Sequence, residues 1–309
     1  MSAIPTPAPA PHRFRRKLKL TLEMIKFEHS IFALPFALTG AFEALRATPL
    51  GWGEAAWKLV LIVVAMIGAR SAAMTFNRIV DTAIDARNPR TRVRQLPAGT
   101  LSAGFAWGFF ASAVAVFLAA AALLGPLCLQ LAPLALGIVL VYSYTKRFTS
   151  WCHLVLGLAL GIAPAAAWIA VAGALNWNIV WLTGAVMLWT AGFDIIYACQ
   201  DYEFDAREGL FSLPRRFGIG GALWISRALH VGMMFCLWQF HATFSQTPLT
   251  LAALFAVAAL LAYEHSLVRA NDLSRVDAAF FTVNGWIGVL FLVFWASAQL
   301  FIGHAATRN

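Results

Sequence analysis

Nine stretches of this chain run for roughly 20 mostly apolar residues each, the length an α-helix needs to cross the hydrocarbon of a bilayer. They cover about 28–46, 55–81, 103–124, 127–145, 153–173, 179–200, 220–241, 248–268 and 280–303. Pro35 and Pro164 fall inside such runs, where neighbouring helices can satisfy the freed backbone groups. Of the 309 residues, 61% are hydrophobic and only 12% charged, against about 25% charged in an ordinary soluble domain. Too few polar residues remain to hydrate a globule of this size, so lipid is the expected solvent. The net charge of +9 does not indicate nucleic acid, because the basic residues sit in short segments between apolar runs. That distribution is a topology signal.

Lys and Arg favour the cytoplasmic side. Arg13, Arg15, Arg16, Lys17 and Lys19 precede the first run. Arg87, Arg90, Arg92 and Arg94 follow the second, and Lys146 and Arg147 the fourth. Arg207, Arg215 and Arg216 follow the sixth, and Arg269 and Arg275 the eighth. The alternate loops are nearly free of positive charge, with Arg46 and Lys58 as the exceptions. This pattern places the N-terminus in the cytoplasm and the C-terminus outside, as nine spans require. Trp52, Trp57, Trp177 and Trp181 fall near the outer ends, where aromatic belts form. The expected organisation is a disordered basic lead over 1–19, a membrane domain over 20–303 and a short tail over 304–309. The lead lacks the order of a signal peptide. Cys128, Cys152, Cys199 and Cys236 form no C-x-x-C pair and read as packing residues, while His153, His230, His241 and His265 are scattered and read as interfacial residues rather than ligands.

The chain repeats itself weakly. Asp81-Thr-Ala-Ile-Asp85-Ala-Arg87 ends the second run, and Asp201-Tyr-Glu-Phe-Asp205-Ala-Arg207 follows the sixth. Both read D-x-x-x-D-A-R, lie four spans apart and take the same side. Two related four-helix units plus one helix, facing across a central cavity, would produce this. Asn77, Asp81 and Asp85 advance only about 40° per step around a helix and so share a face with Arg70. Asp194, Asp201 and Asp205 are spaced i, i+7, i+11, as are Arg70, Asn77 and Asp81. Carboxylates stacked on one face repel and are costly near lipid, so a cation must compensate them. Hard oxygen ligands in small number suit Mg²⁺, which completes its shell with water and substrate phosphates. Arginine and lysine close behind would neutralise a diphosphate. Glu28 and His29 open the first run and stand at the mouth of the expected cavity. A transporter also uses intramembrane acids and repeats, but there the repeats are commonly inverted and the site lies at mid-membrane. The D-x-x-D-G-x-x-A-R pattern of membrane phosphatidyltransferases is absent.

At these residues the sequence resembles the UbiA superfamily of intramembrane aromatic prenyltransferases. The similar blocks are NRIVDTAIDARNPRTRVRQLPAG at 77–99, YSYTKRF at 142–148 and YACQDYEFDAREGLFSLPRRFG at 197–218. The resemblance implies nine transmembrane helices around a cavity open to lipid, a polyprenyl diphosphate donor and an aromatic acid acceptor. Carried over by motif, Asn77, Asp81, Asp85, Asp201 and Asp205 would bind Mg²⁺-diphosphate. Arg87, Arg94, Lys146 and Arg147 would hold phosphate oxygens. Arg70 and Asp194 would lie deeper as catalytic candidates, Asp194 as a base for the ring proton. The strongest likeness is to 4-hydroxybenzoate polyprenyltransferases, in a bacterial-type inner membrane. Gln95 and Ser143 depart from frequent prolines, and the segments 26–38 and 192–201 look like a branch that prenylates a carboxylated naphthalene for menaquinone. The resemblance implies no obligate protein partner.

Overall fold

A computed structural model describes residues 19–25, 32–48 and 50–306, with side chains as far as 299. The expected disordered lead up to residue 18, the cavity-mouth pair Glu28 and His29, and the end of the tail lie outside the described residues. Among the described residues the chain is helical, with nine long helices. They are α1 (Leu34–Ala47), α2 (Trp52–Val80), α3 (Ala103–Leu124), α4 (Pro126–Thr145), α5 (Cys152–Ala172), α6 (Val180–Ala198), α7 (Leu213–Phe244), α8 (Pro248–Leu267) and α9 (Asn284–Ala306). From α2 onward, eight helical segments are long and apolar enough to cross a membrane. The described part of α1 is 14 residues.

Helices are the natural outcome here, because only they satisfy every backbone polar group within one segment in an apolar medium. Their ends carry local signals. Pro occupies the first turn of α1, α4, α7 and α8, where its missing N–H costs nothing. Ser102 Oγ accepts from the Phe105 N–H at 3.3 Å, and Ser212 Oγ from the Arg215 N–H at 3.3 Å. α8 opens with a reciprocal Thr247–Thr250 capping box. α7 begins at 213, earlier than the expected 220, because a capped turn precedes a break at Gly218 (φ 70°, ψ 165°). A π-helical turn, Ala278–Val283, leads into α9.

α2 packs on α3 and α6 on α7, two pairs in corresponding places of the repeat. α5 lies against α1, α4 and α6, and α9 returns to α1 to close the bundle. Small residues set the closest approaches. A Cβ on Gly40 would stand 2.6 Å from the Pro164 carbonyl oxygen of α5, and one on Gly68 would stand 2.9 Å from the Phe117 nitrogen of α3. The core that α1 shares with the second half is aromatic. Phe36, Trp189, Phe240, Phe291 and Trp295 are fully buried and touch in a chain of ring contacts. Between α1 to α5 lies a cavity of about 240 Å³. Its wall is mostly aliphatic, with stretches of alanine from α2 and α5, and Arg70 and Tyr142 contribute polar groups.

Candidate active site

The two acidic motifs have the same backbone. α2 ends at Asp81 (φ −90°, ψ 3°) and a short helix, Thr82–Arg87, carries on from it. α6 tightens into a 3₁₀ turn ending at Asp201 (φ −97°, ψ 7°), and the short helix Tyr202–Glu208 follows. The first aspartate of each motif therefore sits at a break, in the bridge region of backbone space, and the second lies buried in the short helix. The single unbroken helix face expected from the spacing is corrected to this extent. The hydrogen-bond ladder crosses the first break, with the Asp85 N–H on the Asp81 carbonyl at 2.7 Å, while ψ unwinds at Asp81 itself.

The breaks bring the C-terminal ends of α2, α4 and α6 to one end of the bundle. There each motif aspartate meets a base. Arg147, just past α4, bonds Asp81 at 2.9 Å, and Asn77 donates to the other Asp81 oxygen at 2.9 Å. Arg94 reaches both oxygens of Asp85 at 2.8 Å. Lys146 lies 2.7 Å from Asp205. Arg90 grips Asp201 with two nitrogens, at 3.1 and 2.5 Å, and Asn88 adds a bond at 3.1 Å. Arg90 also donates to the Tyr197 hydroxyl at 3.0 Å and lies over its ring. Arg87 takes no aspartate; it pairs with Glu208 at 2.7 Å and is 55% exposed.

Burial acts on these charges in opposite senses. It pushes the Asp81 carboxyl above its ordinary value; the Arg147 hydrogen bond pulls it back in part, and the neighbouring Asp85 adds to the rise. Burial alone would pull Lys146 and Arg90 down. The charge of Asp205, with that of Asp201, outweighs this at Lys146, and the Asp201 hydrogen bond outweighs it at Arg90, so both end above their usual values.

Arg70 and Asp194 sit deeper. Arg70 borders the apolar cavity beside Tyr142. Asp194 is held by His153, whose Nδ1 is 2.7 Å from its Oδ2. His153 had no signal beyond a lone histidine in an apolar run, and it proves buried and bonded at both ring nitrogens. His230 is buried as well and contacts His265 at 2.9 Å, far from an interfacial reading. The four cysteines are free thiols.

This arrangement sets hard carboxylate oxygens beside guanidinium and ammonium groups, at the head of an apolar cavity. Among the described residues no three carboxylate, His or Cys groups converge on a ready-made metal cage. The donor set fits Mg²⁺ that arrives with a phosphate group and takes one or two carboxylates from the protein.

Residues 33–301 match the UbiA prenyltransferase family. The chain belongs to that family. The mitochondrial 4-hydroxybenzoate polyprenyltransferase of Caenorhabditis elegans is 28% identical over 291 residues, covering 94% of this chain and 81% of that protein. The apo structure of a UbiA homolog from Aeropyrum pernix K1 superposes with a TM-score of 0.79 at 31% identity, covering 88% of this chain and 98% of that one. A UbiA homolog from Archaeoglobus fulgidus bound to DMAPP and Mg²⁺ shares the fold, with a TM-score of 0.69 at 22% identity, covering 90% of this chain and 98% of that one. Family membership and the eight apolar spans make this a multi-pass membrane protein.

Proposed function

We propose that this UbiA-family protein transfers a polyprenyl group from polyprenyl diphosphate to the ring of a 4-hydroxybenzoate-type acid in quinone biosynthesis. The observation that carries the proposal is the pairing of all four motif aspartates with bases from outside the motifs, at the head of an apolar cavity. Such a mouth suits both halves of a metal diphosphate, and the cavity suits an isoprenoid tail. The name of the nematode relative and the ligands of the Archaeoglobus protein support the same reading.

In this reading Asn77, Asp81, Asp85, Asp201 and Asp205 hold Mg²⁺. When bound, Mg²⁺ supplies positive charge that stabilises the departing diphosphate. Arg94, Lys146 and Arg147, joined by Arg90 and at the rim by Arg87, bind phosphate oxygens and neutralise the charge that grows as the allylic C–O bond breaks. The apolar walls keep water from the carbocation-like prenyl end. Arg70 orients the acceptor carboxylate, and Asp194 takes the ring proton. The dense positive charge at this mouth supports a site facing the cytoplasm in a bacterial-type inner membrane, with the N-terminus inside and the C-terminus outside.

The test is turnover by purified protein in detergent with Mg²⁺, a polyprenyl diphosphate and either 4-hydroxybenzoate or a dihydroxynaphthoate, read by product mass. Prenylated hydroxybenzoate is the expected product. Product from the naphthoate alone would move the protein to menaquinone synthesis. No product from either acceptor, with donor intact and protein folded, would overturn the proposed acceptor class.

A further inference from the structure

His153 opens α5 with a side chain only 2% exposed. Its two ring nitrogens face two different helices. Nδ1 lies 2.7 Å from Asp194 Oδ2 on α6, and Nε2 lies 3.3 Å from the backbone nitrogen of Leu213, the first residue of α7. A backbone N–H only donates. Nε2 must therefore accept, which leaves the single proton of a neutral imidazole on Nδ1, pointing at the Asp194 carboxylate.

The backbone donor is itself fixed. The Phe211 N–H bonds the Lys146 carbonyl at 2.8 Å, and Ser212 caps the turn that begins at Leu213. Asp194 is 24% exposed, so part of it stays open while His153 is closed in.

We infer that His153 is the positioning residue for Asp194: an imidazole whose tautomer is set by the Leu213 N–H holds Oδ2 and leaves Oδ1 for the acceptor's ring proton. The inference rests on the proposed role of Asp194. The step balances. The prenyl carbon bonds the ring carbon as its C–O bond breaks, and that electron pair leaves with diphosphate. The ring proton passes to Asp194 Oδ1, its C–H electrons restore the aromatic ring, and His153 keeps its own proton.

Two near-isosteric variants separate this from simple helix packing. In His153→Asn the amide N–H₂ can stand where Nδ1 stood and still donate to Asp194. In His153→Gln the amide falls near the Nε2 position and cannot. Each is assayed for Mg²⁺–geranyl diphosphate affinity, kcat, and the isotope effect of a ring-deuterated acceptor. His153→Gln is expected to bind the diphosphate like wild type, to lose about 10- to 100-fold in kcat, as loss of an outer-shell partner does, and to turn an isotope effect near unity into a primary one. His153→Asn is expected to recover most of kcat and the small isotope effect. Equal behaviour of the two variants, or a fall in kcat with an unchanged isotope effect, would overturn the inference. Asp194→Asn tells its failure from that of the underlying reading. If that variant prenylates like wild type, the base assignment falls; if it is slow while His153→Gln is normal, only the positioning role falls.

Discussion

The two acidic motifs are near copies in sequence and backbone, and they differ in where their counter-charges come from. The first motif is served from its own half of the chain. Asp85 pairs with Arg94, nine residues on, and Asp81 with Arg147 at the end of α4. The second motif has basic residues of its own close behind, yet none of them serves it. Arg215 instead bonds the Leu210 carbonyl at 2.6 Å. Asp201 and Asp205 are held by Arg90 and Lys146, both from the first half of the chain. The difference shows that a repeat can keep its ligands symmetric while its electrostatics become one-sided.

Removing a motif carboxylate tests whether the two copies remain functionally equal. Asp81→Ala and Asp201→Ala are each expected to lower kcat/KM by about 10³-fold, the scale of losing a preorganised charge contact in a transition state. Insertion, followed by detergent-extracted yield, should be unchanged; a variant of either kind with normal activity would break the pairing of the two motifs as one site. Next in size comes Lys146→Ala. It leaves Asp205, fully buried, without its counter-ion, and should cost about 3 kcal/mol in stability. Arg147→Ala, one residue on, faces the more open Asp81 and should cost nearer 1 kcal/mol. Thermal unfolding of the two variants side by side reads the contrast, and equal costs would erase it.

Arg90→Lys sharpens the one-sidedness. The fork that bonds both oxygens of Asp201 is lost while the charge stays. A loss of about 1.5 kcal/mol in diphosphate binding is expected, within the range for hydrogen bonds to charged groups, measured by titration with the donor. The smallest effect should come from Arg87→Ala. Its partner is Glu208 and both are near the surface, so stability should move by no more than about 0.5 kcal/mol. The KM for prenyl diphosphate should rise only a few-fold.

The helices from α2 onward were legible because each needed only its own local run of apolar residues. The end points of α3 fall where the sequence places them, and those of α2, α4, α5 and α8 within a few residues. The convergence of the motifs was legible too, from charge alternation along the chain. The partners were not. Arg90 stands 111 residues from Asp201 and looked like one more topology-setting charge. His153 looked like any histidine in an apolar run, because its meaning depends on a carboxylate 41 residues away and a backbone N–H 60 residues away. The breaks at Asp81 and Asp201 were hidden for a different reason. Spacing at i and i+4 is the same whether or not one residue between two helices relaxes its ψ.

The order in which the chain is made gives the crossed pairs a further meaning. A membrane protein emerges from its N-terminal end, and early segments settle first. Once residue 147 has been synthesised, Asp81 and Asp85 already have their bases, while Arg90 and Lys146 still await the aspartates at 201 and 205. A nascent chain halted between these points would hold half a mouth with two unspent positive charges. Completion of the site is therefore a late event in biogenesis, timed by the arrival of the sixth long helix.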